Sequence, residues 1–302
     1  MSNEPVIESA PKKSQRGKGY IPNTPAQRAG IKTSKHLLGA PARLPSSIDY
    51  SDLILIEDQA DSSACVGEAN AQACRARLLK MTGYSAGDFT HVPKYSVLGI
   101  YGGARTLGRG DKKIPLTDDG CQPIDAVTFM QEYGVPHDAT WPFDLSKVNA
   151  ELPLDVLEDA SGFEVTGHYA VDTIPEQRAQ EIMHALSEGY FPVFGTAADM
   201  AFEEVSNGNI IDRAKGNILG GHMMMFCGYD TSYAGSVAFR IVNSWGTSWG
   251  DHGFGNVSTD FITDPRLGDI EVITLGPVNP SLDTNGDPIK RSLKRLQAQK
   301  AA

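Results

Sequence analysis

The sequence predicts an α+β protein with two lobes. Three observations carry that reading. Helix start and stop signals concentrate in the first half of the chain. Strand-like apolar runs separated by glycine dominate the second half. The 302 residues, 40% of them hydrophobic, are enough for one large domain or two lobes with a real core.

The elements follow in order. Residues 1–43 are rich in Pro, Gly, Lys and Ala and read as an extended arm, with ordered structure starting at LPSSIDYSDL. Ser62 or Ser63 is placed to N-cap a helix from about Cys65 to Met81, stopped by Gly83. Val66, Ala69, Ala73 and Leu78 share its predicted inner face. A second helix follows Pro123 in PIDAVTFMQEYG and stops at Gly134. A third begins at Thr173, where TIPE reads as a capping box with Glu176, and ends at Gly189. The period then changes. YFPVFGTAA reads as a strand, and GHMMMFCGYD and SVAFRIVNSWG as two strands joined by a short turn. GFGNVS and IEVITLG add further strands, and no internal repeat is present. The organisation expected is an arm over 1–43, a helical lobe over about 44–160, a β-rich lobe over about 161–279 and a basic tail over 280–302.

Charge and cysteine usage narrow the function classes. The net charge is −10, yet residues 1–43 carry eight Lys/Arg against two Glu, and 280–302 carry five Lys/Arg against two Asp. Basic ends on an acidic body either lie back on it, reach an anionic partner or are solvated tails; solvated tails are the favoured reading. The acidic body argues against nucleic-acid binding by the domain. No apolar run reaches the ~18 residues of a membrane span, and MSNEPVIESAPKKSQRGKGY lacks the apolar middle of a secretory signal. The expectation is a cytoplasmic protein with no membrane association. Cys65, Cys74, Cys121 and Cys227 form no CxxC pair, which argues against zinc, and no metal or other cofactor is expected. Small buried hydrophobes are the favoured reading of Cys74 and Cys227.

Chemistry is suggested by the hairpin. With the turn taken over Asp230 to Gly235, His222 falls opposite Asn243. An amide oxygen there can fix the ring's tautomer and leave the other nitrogen to act on a nucleophile. The alternative is a strand-start histidine satisfied by backbone. Cys65 is either a buried filler or a thiol at a helix start, where the dipole favours thiolate and a neighbouring imidazolium favours it further. Gln59, six residues earlier, can donate to a developing oxyanion together with the Cys65 N–H.

Taken together these segments resemble the papain-like cysteine peptidases. DQADSSAC is similar to that family's nucleophile segment, GGHMMMFCGYD to its histidine segment and VNSWGTSWGDHGFG to its NSWG signature. DDGCQPIDAVTFMQEYGV, with TWPF, resembles its cleft-lining region. The resemblance covers roughly residues 44 to 262, and the order Gln, Cys, His, Asn matches throughout. It implies a two-lobed papain-like fold, helical lobe against antiparallel β-rich lobe, with the site in the cleft. It also implies peptide-bond hydrolysis through a thioester: Cys65 as nucleophile, His222 as base and acid, Asn243 as orienter, Gln59 as oxyanion donor and Trp245 as a shield over the His–Asn bond. Gly120, Cys121, Pro123, Met223 and Trp245 are the expected substrate-binding residues, with an apolar preference two residues before the cleaved bond from Pro123 and Met223. The style is that of the short-armed bacterial and phage members.

The departures from the family are specific. Ser62 stands where the family has a cysteine, and the partner of that bridge falls near Asp118. Both ends of the disulfide are missing, as a reducing compartment permits. Val66 replaces an aromatic, Cys121 a glycine and Met223 a small residue. The arm shows no sustained helical period, so a helical inhibitory prodomain is not expected; a short arm that blocks the cleft or braces the lobes is left as an open alternative. The function expected is a cysteine endopeptidase acting on polypeptides. The alternatives are a catalytically silent binding or structural protein on this fold, and a Cys–His amidase or acyl transferase. The basic termini suggest an assembly partner such as a virion, and host cytoplasm or virion as the location if the source is viral.

Overall fold

Strand-forming residues 223–227, MMMFC, carry no polar position, so this strand has to be buried on both faces. The computed structural model shows how. It describes residues 17–277 apart from 39–42, 112, 172–173, 206–208, 213–215 and 234–235. Expectations that fall on residues 1–16, Thr173 or the tail 280–302 therefore lie outside the described residues.

The helices are α1 (Pro25–Gly30), α2 (Lys35–Leu38), α3 (Cys65–Thr82), α4 (Val97–Gly108), α5 (Pro123–Glu132), α6 (Leu154–Ala160), α7 (Pro175–Ser187), α8 (Met200–Glu203) and α9 (Thr259–Thr263). The strands are β1 (Lys32–Thr33), β2 (Ser47–Asp49), β3 (Phe163–Ala170), β4 (Val193–Asp199), β5 (Ile210–Ile211), β6 (Ile218–Asp230), β7 (Ala238–Val242), β8 (Phe254–Ser258) and β9 (Leu267–Pro277). Among the described residues they form one mostly antiparallel sheet in the order β1-β3-β9-β4-β6-β7-β8-β5, with β2 also on β6. The α+β class stands. Met223, Met225 and Cys227 of β6 enter a core shared with α3, α4 and α5. Met224, Phe226 and Tyr229 enter a second core with α7, α9 and the outer strands.

Helix α3 starts at Cys65 as expected and ends at Gly83, whose φ of 76° needs a glycine. Its cap differs from expectation. Ala64 is the N-cap, with no side-chain hydrogen bond. The Ser62 hydroxyl donates instead to the Gln59 carbonyl (2.7 Å), and the Ser63 N–H donates to the Asp118 carboxylate (3.0 Å). The inner face includes Val66, Ala69 and Ala73, but Leu79 rather than Leu78 is buried. The helix is surrounded, so its burial departs from a single stripe.

Helix α4 was not anticipated, because four glycines in VLGIYGGARTLG lower its propensity. Those glycines let helices touch. A Cβ on Gly103 would lie 2.3 Å from the Phe129 ring of α5, and one on Gly67 of α3 would lie 2.5 Å from the Val97 carbonyl. Strand β3 was missed as well. Helix α7 ends before Gly189 as expected but starts at Pro175, with Ile174 as its N-cap.

The hairpin register differs from the one expected. Met225 pairs with Val242 and, beyond an irregularity at Cys227, Gly228 pairs with Arg240. The loop is longer than Asp230 to Gly235, because Asp230 pairs with Ala238. The arm also differs: its described part, 17–38, is neither extended throughout nor a solvated tail. It forms α1, α2 and β1 and pairs with β3.

Both Gly102 and Gly103 gain helix propensity as alanine. At Gly102 the nearest obstacle is the Leu152 side chain at 3.3 Å, whereas at Gly103 it is an aromatic ring at 2.3 Å. Urea denaturation is expected to show Gly103→Ala less stable than Gly102→Ala by about 1–3 kcal/mol.

Candidate active site

Cys65 is the first residue of α3, so its thiol lies at the positive end of the helix dipole. It is fully buried. His222 stands near the start of β6, the strand packed on α3, and the peptide N–H of the next residue, Met223, faces the Cys65 sulfur. The His222 Nε2–H donates to Asn243 Oδ1 at 2.7 Å. An amide oxygen only accepts, so this bond fixes the tautomer and leaves Nδ1 unprotonated. That Nδ1 is buried and has no hydrogen-bond partner among the described residues. The sequence placed His222 directly opposite Asn243, and the structure does not. The observed register moves the pairing by two residues, which preserves the face, so the side chains still meet.

The other sequence-predicted residues fall around this pair. Trp245 stacks on the imidazole with centroids 4.7 Å apart. Gln59 is fixed by a short bridge between segments 57–59 and 244–246: Gln59 N–H donates to the Ser244 carbonyl (2.9 Å) and Gly246 N–H to the Glu57 carbonyl (3.0 Å). The Ser244 hydroxyl donates to Gln59 Oε1 (2.5 Å), which turns the Nε2 donors away from it. Gly120 has a φ of 90°, and a Cβ there would strike the Gly19 carbonyl at 2.1 Å. Cys121 lines the cleft through its backbone. Pro123 is the buried first residue of α5, and Met223 is buried in the core shared with that helix. All four cysteines are free. The absent disulfide is replaced by Asp118, which accepts from Ser63 N–H and from the Tyr101 hydroxyl (2.7 Å), whose oxygen accepts from Gly120 N–H (3.0 Å).

Residues 17–23 of the arm run through this cleft. Gly17 carbonyl accepts from Gln59 Nε2 at 3.0 Å. Gly19 N–H donates to Cys65 Sγ at 3.4 Å. Cys121 N–H donates to the Gly19 carbonyl (2.9 Å) and Ile21 N–H to the Cys121 carbonyl (3.1 Å), a parallel β-like pairing. Tyr20, buried, donates its hydroxyl to Asp269 Oδ2 at 2.7 Å. Lys18 pairs with Glu203 (2.9 Å) and lies 5.1 Å over Trp245. Gly17 and Gly19 are required for the passage, since a Cβ on either would sit 1.9 Å from the Ser62 or Ser63 carbonyl. Sequence reasoning missed Lys18, Tyr20, Ser244 and Asp269. The alternation GKGY was the available signal for the first two.

Burial decides the protonation of the pair. It raises the Cys65 thiol to about 11, against the N–H groups of Gly19, Met223, Val66 and Tyr20 that favour thiolate. Burial also lowers His222 to about 4; the Asn243 bond opposes this and the Lys18 ammonium adds to it. The thiolate–imidazolium pair expected from the sequence is therefore a neutral thiol and a neutral imidazole while the arm covers them.

A family model described as Papain family cysteine protease matches residues 114–264, half of the chain. The chain belongs to the papain family of cysteine proteases. An uncharacterised peptidase C1-like protein of Acanthamoeba polyphaga mimivirus is 26% identical over 158 residues, 50% of each chain. Cysteine proteinase 2 of Entamoeba histolytica is 25% identical over 226 residues, 70% of this chain and 63% of that one. The chain thus spans between half and two thirds of the length of these relatives. Among solved structures, xylellain, a cysteine protease of Xylella fastidiosa, superposes with a TM-score of 0.68 at 22% identity, over 88% of this chain and 98% of that one. A digestive procathepsin L of Tenebrio molitor larval midgut gives 0.65 at 15% identity, over 87% and 77%. These likenesses support the two-lobed papain-like fold. No helix among the described residues is long and apolar enough to cross a membrane.

The covered and uncovered states bind protons differently. With the arm in place His222 stays neutral down to about pH 4; uncovered, it titrates in the ordinary imidazole range. Between these values the uncovered state binds more protons, so it gains as pH falls and has no such gain above pH 7. The expected gain from pH 7 to pH 4 is on the order of a hundredfold. The check is the rate of Cys65 alkylation in the native chain divided by that in Tyr20→Ala, mapped by mass spectrometry. The ratio is expected to rise as pH falls, and a flat ratio contradicts the linkage.

Proposed function

We propose that this chain is a cysteine endopeptidase held latent by its own arm. The observation that carries the reading is the placement of a peptide segment across Cys65, His222 and Gln59, in a chain of the papain family. Gln59 Nε2 meets a peptide carbonyl at 3.0 Å, which is the contact an oxyanion donor needs.

With the arm displaced, water reaches the pair and the thiol proton passes to His222 Nδ1. The thiolate at the start of α3 attacks the substrate carbonyl carbon. The carbonyl oxygen becomes an oxyanion that accepts from Gln59 Nε2–H and from the Cys65 N–H, which at a helix start has no intrahelical partner. The imidazolium, oriented by Asn243 and covered by Trp245, gives its proton to the leaving amine, and the C–N bond breaks to leave a thioester. Water, deprotonated by His222, attacks the thioester; the acid leaves and the thiol is restored.

The arm resists this chemistry while seated. The N–H groups of Gly19 and Tyr20 face the sulfur and hold it in place. Three cations of the arm's described part meet carboxylates of the body: Lys18 with Glu203, Arg28 with Asp269 (2.5 Å) and Lys35 with Glu181 (3.4 Å). The basic arm and acidic body of the sequence thus find each other, which speaks for self-docking over an anionic partner for this stretch. The free, buried thiols fit a reducing compartment such as the cytoplasm.

Hydrolysis of a quenched-fluorescent peptide library is the test. Tyr20→Ala is expected to exceed the native chain in rate. In that background Gln59→Ala is expected to lower kcat by about 10²–10³, and Cys65→Ala to abolish turnover. Hydrolysis that survives Cys65→Ala refutes the assignment.

A further inference from the structure

One cavity outside the cleft is lined by buried polar groups that the fold leaves without partners. It lies between α3, the segment 53–58 that leads to Gln59, and the segments around Lys94 and Asp138. Its volume is about 80 Å³. A single water needs roughly 10–15 Å³, so there is room for several waters or one small ligand.

Helix α3 supplies the polar wall. Glu68, Gln72 and Arg75 are spaced i, i+4 and i+7 and share one face. All three line the cavity. Each has a buried side-chain atom with no hydrogen-bond partner among the described residues: Glu68 Oε2, Gln72 Oε1 and Arg75 Nε. Glu68 is only 2% exposed. An unpaired carboxylate is costly at such a site. Burial pushes the Glu68 carboxyl well above the usual carboxylate range; the Glu57, Asp58 and Asp138 carboxylates add to this and Lys94 opposes it.

The charge of the wall favours a cation. Glu57, Asp58, Glu68 and Asp138 line the cavity against Arg75 and Lys94. Both of those cations are engaged. Lys94 Nζ meets Glu57 at 2.9 Å, and Arg75 Nη2 donates to the Ala86 (2.6 Å) and Val92 (3.3 Å) carbonyls. The carboxyl groups are not arranged for a metal: among the described residues no three His, Cys, Asp or Glu side chains are grouped to hold one. The two open acceptors, Glu68 and Gln72, instead sit one helical turn apart, about 6 Å. Neighbouring N–H groups of one planar cation can span that distance. Leu55, Val97 and Phe143 form an apolar part of the wall. Such a wall suits the weakly hydrated faces of a guanidinium better than a strongly hydrated ammonium.

We propose that this cavity binds a small guanidinium compound, with Glu68 and Gln72 as its acceptors. On binding, Glu68 loses its proton to solvent and pairs with the cation as a carboxylate. The site is separate from the cleft, and the inference does not rest on the peptidase reading.

The test is ligand-observed saturation-transfer NMR on the full chain, titrated with methylguanidinium at constant ionic strength. Methylurea has the same shape without the charge, and methylammonium has the charge without the fork. Methylguanidinium is expected to bind about tenfold tighter than either, the difference a charge-assisted pair makes. Glu68→Gln keeps the shape of the side chain and removes its charge. It is expected to weaken methylguanidinium about tenfold, with a melting temperature that stays level or rises. Gln72→Leu removes the second acceptor and is expected to weaken binding in the same direction. No saturation transfer, which leaves the cavity to water, overturns the proposal. So does equal binding of methylurea or methylammonium, or an affinity unchanged in either variant.

Discussion

Strand β6 is buried on both faces, and most of the site depends on that constraint. Met223, Met225 and Cys227 must face the helices while Met224 and Phe226 face the second core. The strand is therefore clamped against the start of α3, where Cys65 lies. His222 is the first residue of the buried stretch, and its position is set by the five apolar residues that follow. Shifting β6 by one residue would exchange its two faces and turn the imidazole away from Asn243.

In the proposed reading the arm and a substrate compete for the same donors. Gln59 Nε2 and the Cys121 backbone are occupied by Gly17, Gly19 and Ile21. The proposed latency does not rest on occlusion alone. Covering the pair removes water from both groups, and desolvation favours their neutral forms. The helix dipole and the Asn243 bond both favour the ionised pair, yet neither offsets full burial. Lys18, held near Trp245 by Glu203, places a second cation where the imidazolium would form.

A polar link stands in for the missing disulfide. Asp118 joins Ser63, just before the nucleophile helix, to Tyr101 of α4 and through it to Gly120 of the cleft wall. These bonds hold the same two segments that a bridge from position 62 would hold. They do not depend on the redox state of the surroundings.

The residue types of the chemistry were legible in the sequence because they sit in short local patterns. Gln59 and Cys65 precede one helix, and His222 and Asn243 flank one hairpin. The α+β class, helix α3 and the hairpin strands follow from periodicity and punctuation alone. Helix α4 was hidden because its glycines serve contacts with α5, which local propensity does not register. The Ser62 and Ser63 caps failed because the Gln59 carbonyl and Asp118 offered those groups other partners. The course of the arm and the partner of the Tyr20 hydroxyl were not legible at all. Tyr20 and Asp269 are 249 positions apart, and only the closing of β9 beside β4 and β6 brings a carboxylate under a tyrosine. Local sequence determined which groups can act; long-range strand pairing decided what covers them and what they meet, because burial and hydrogen bonding across the cleft depend on neighbours that no local spacing contains.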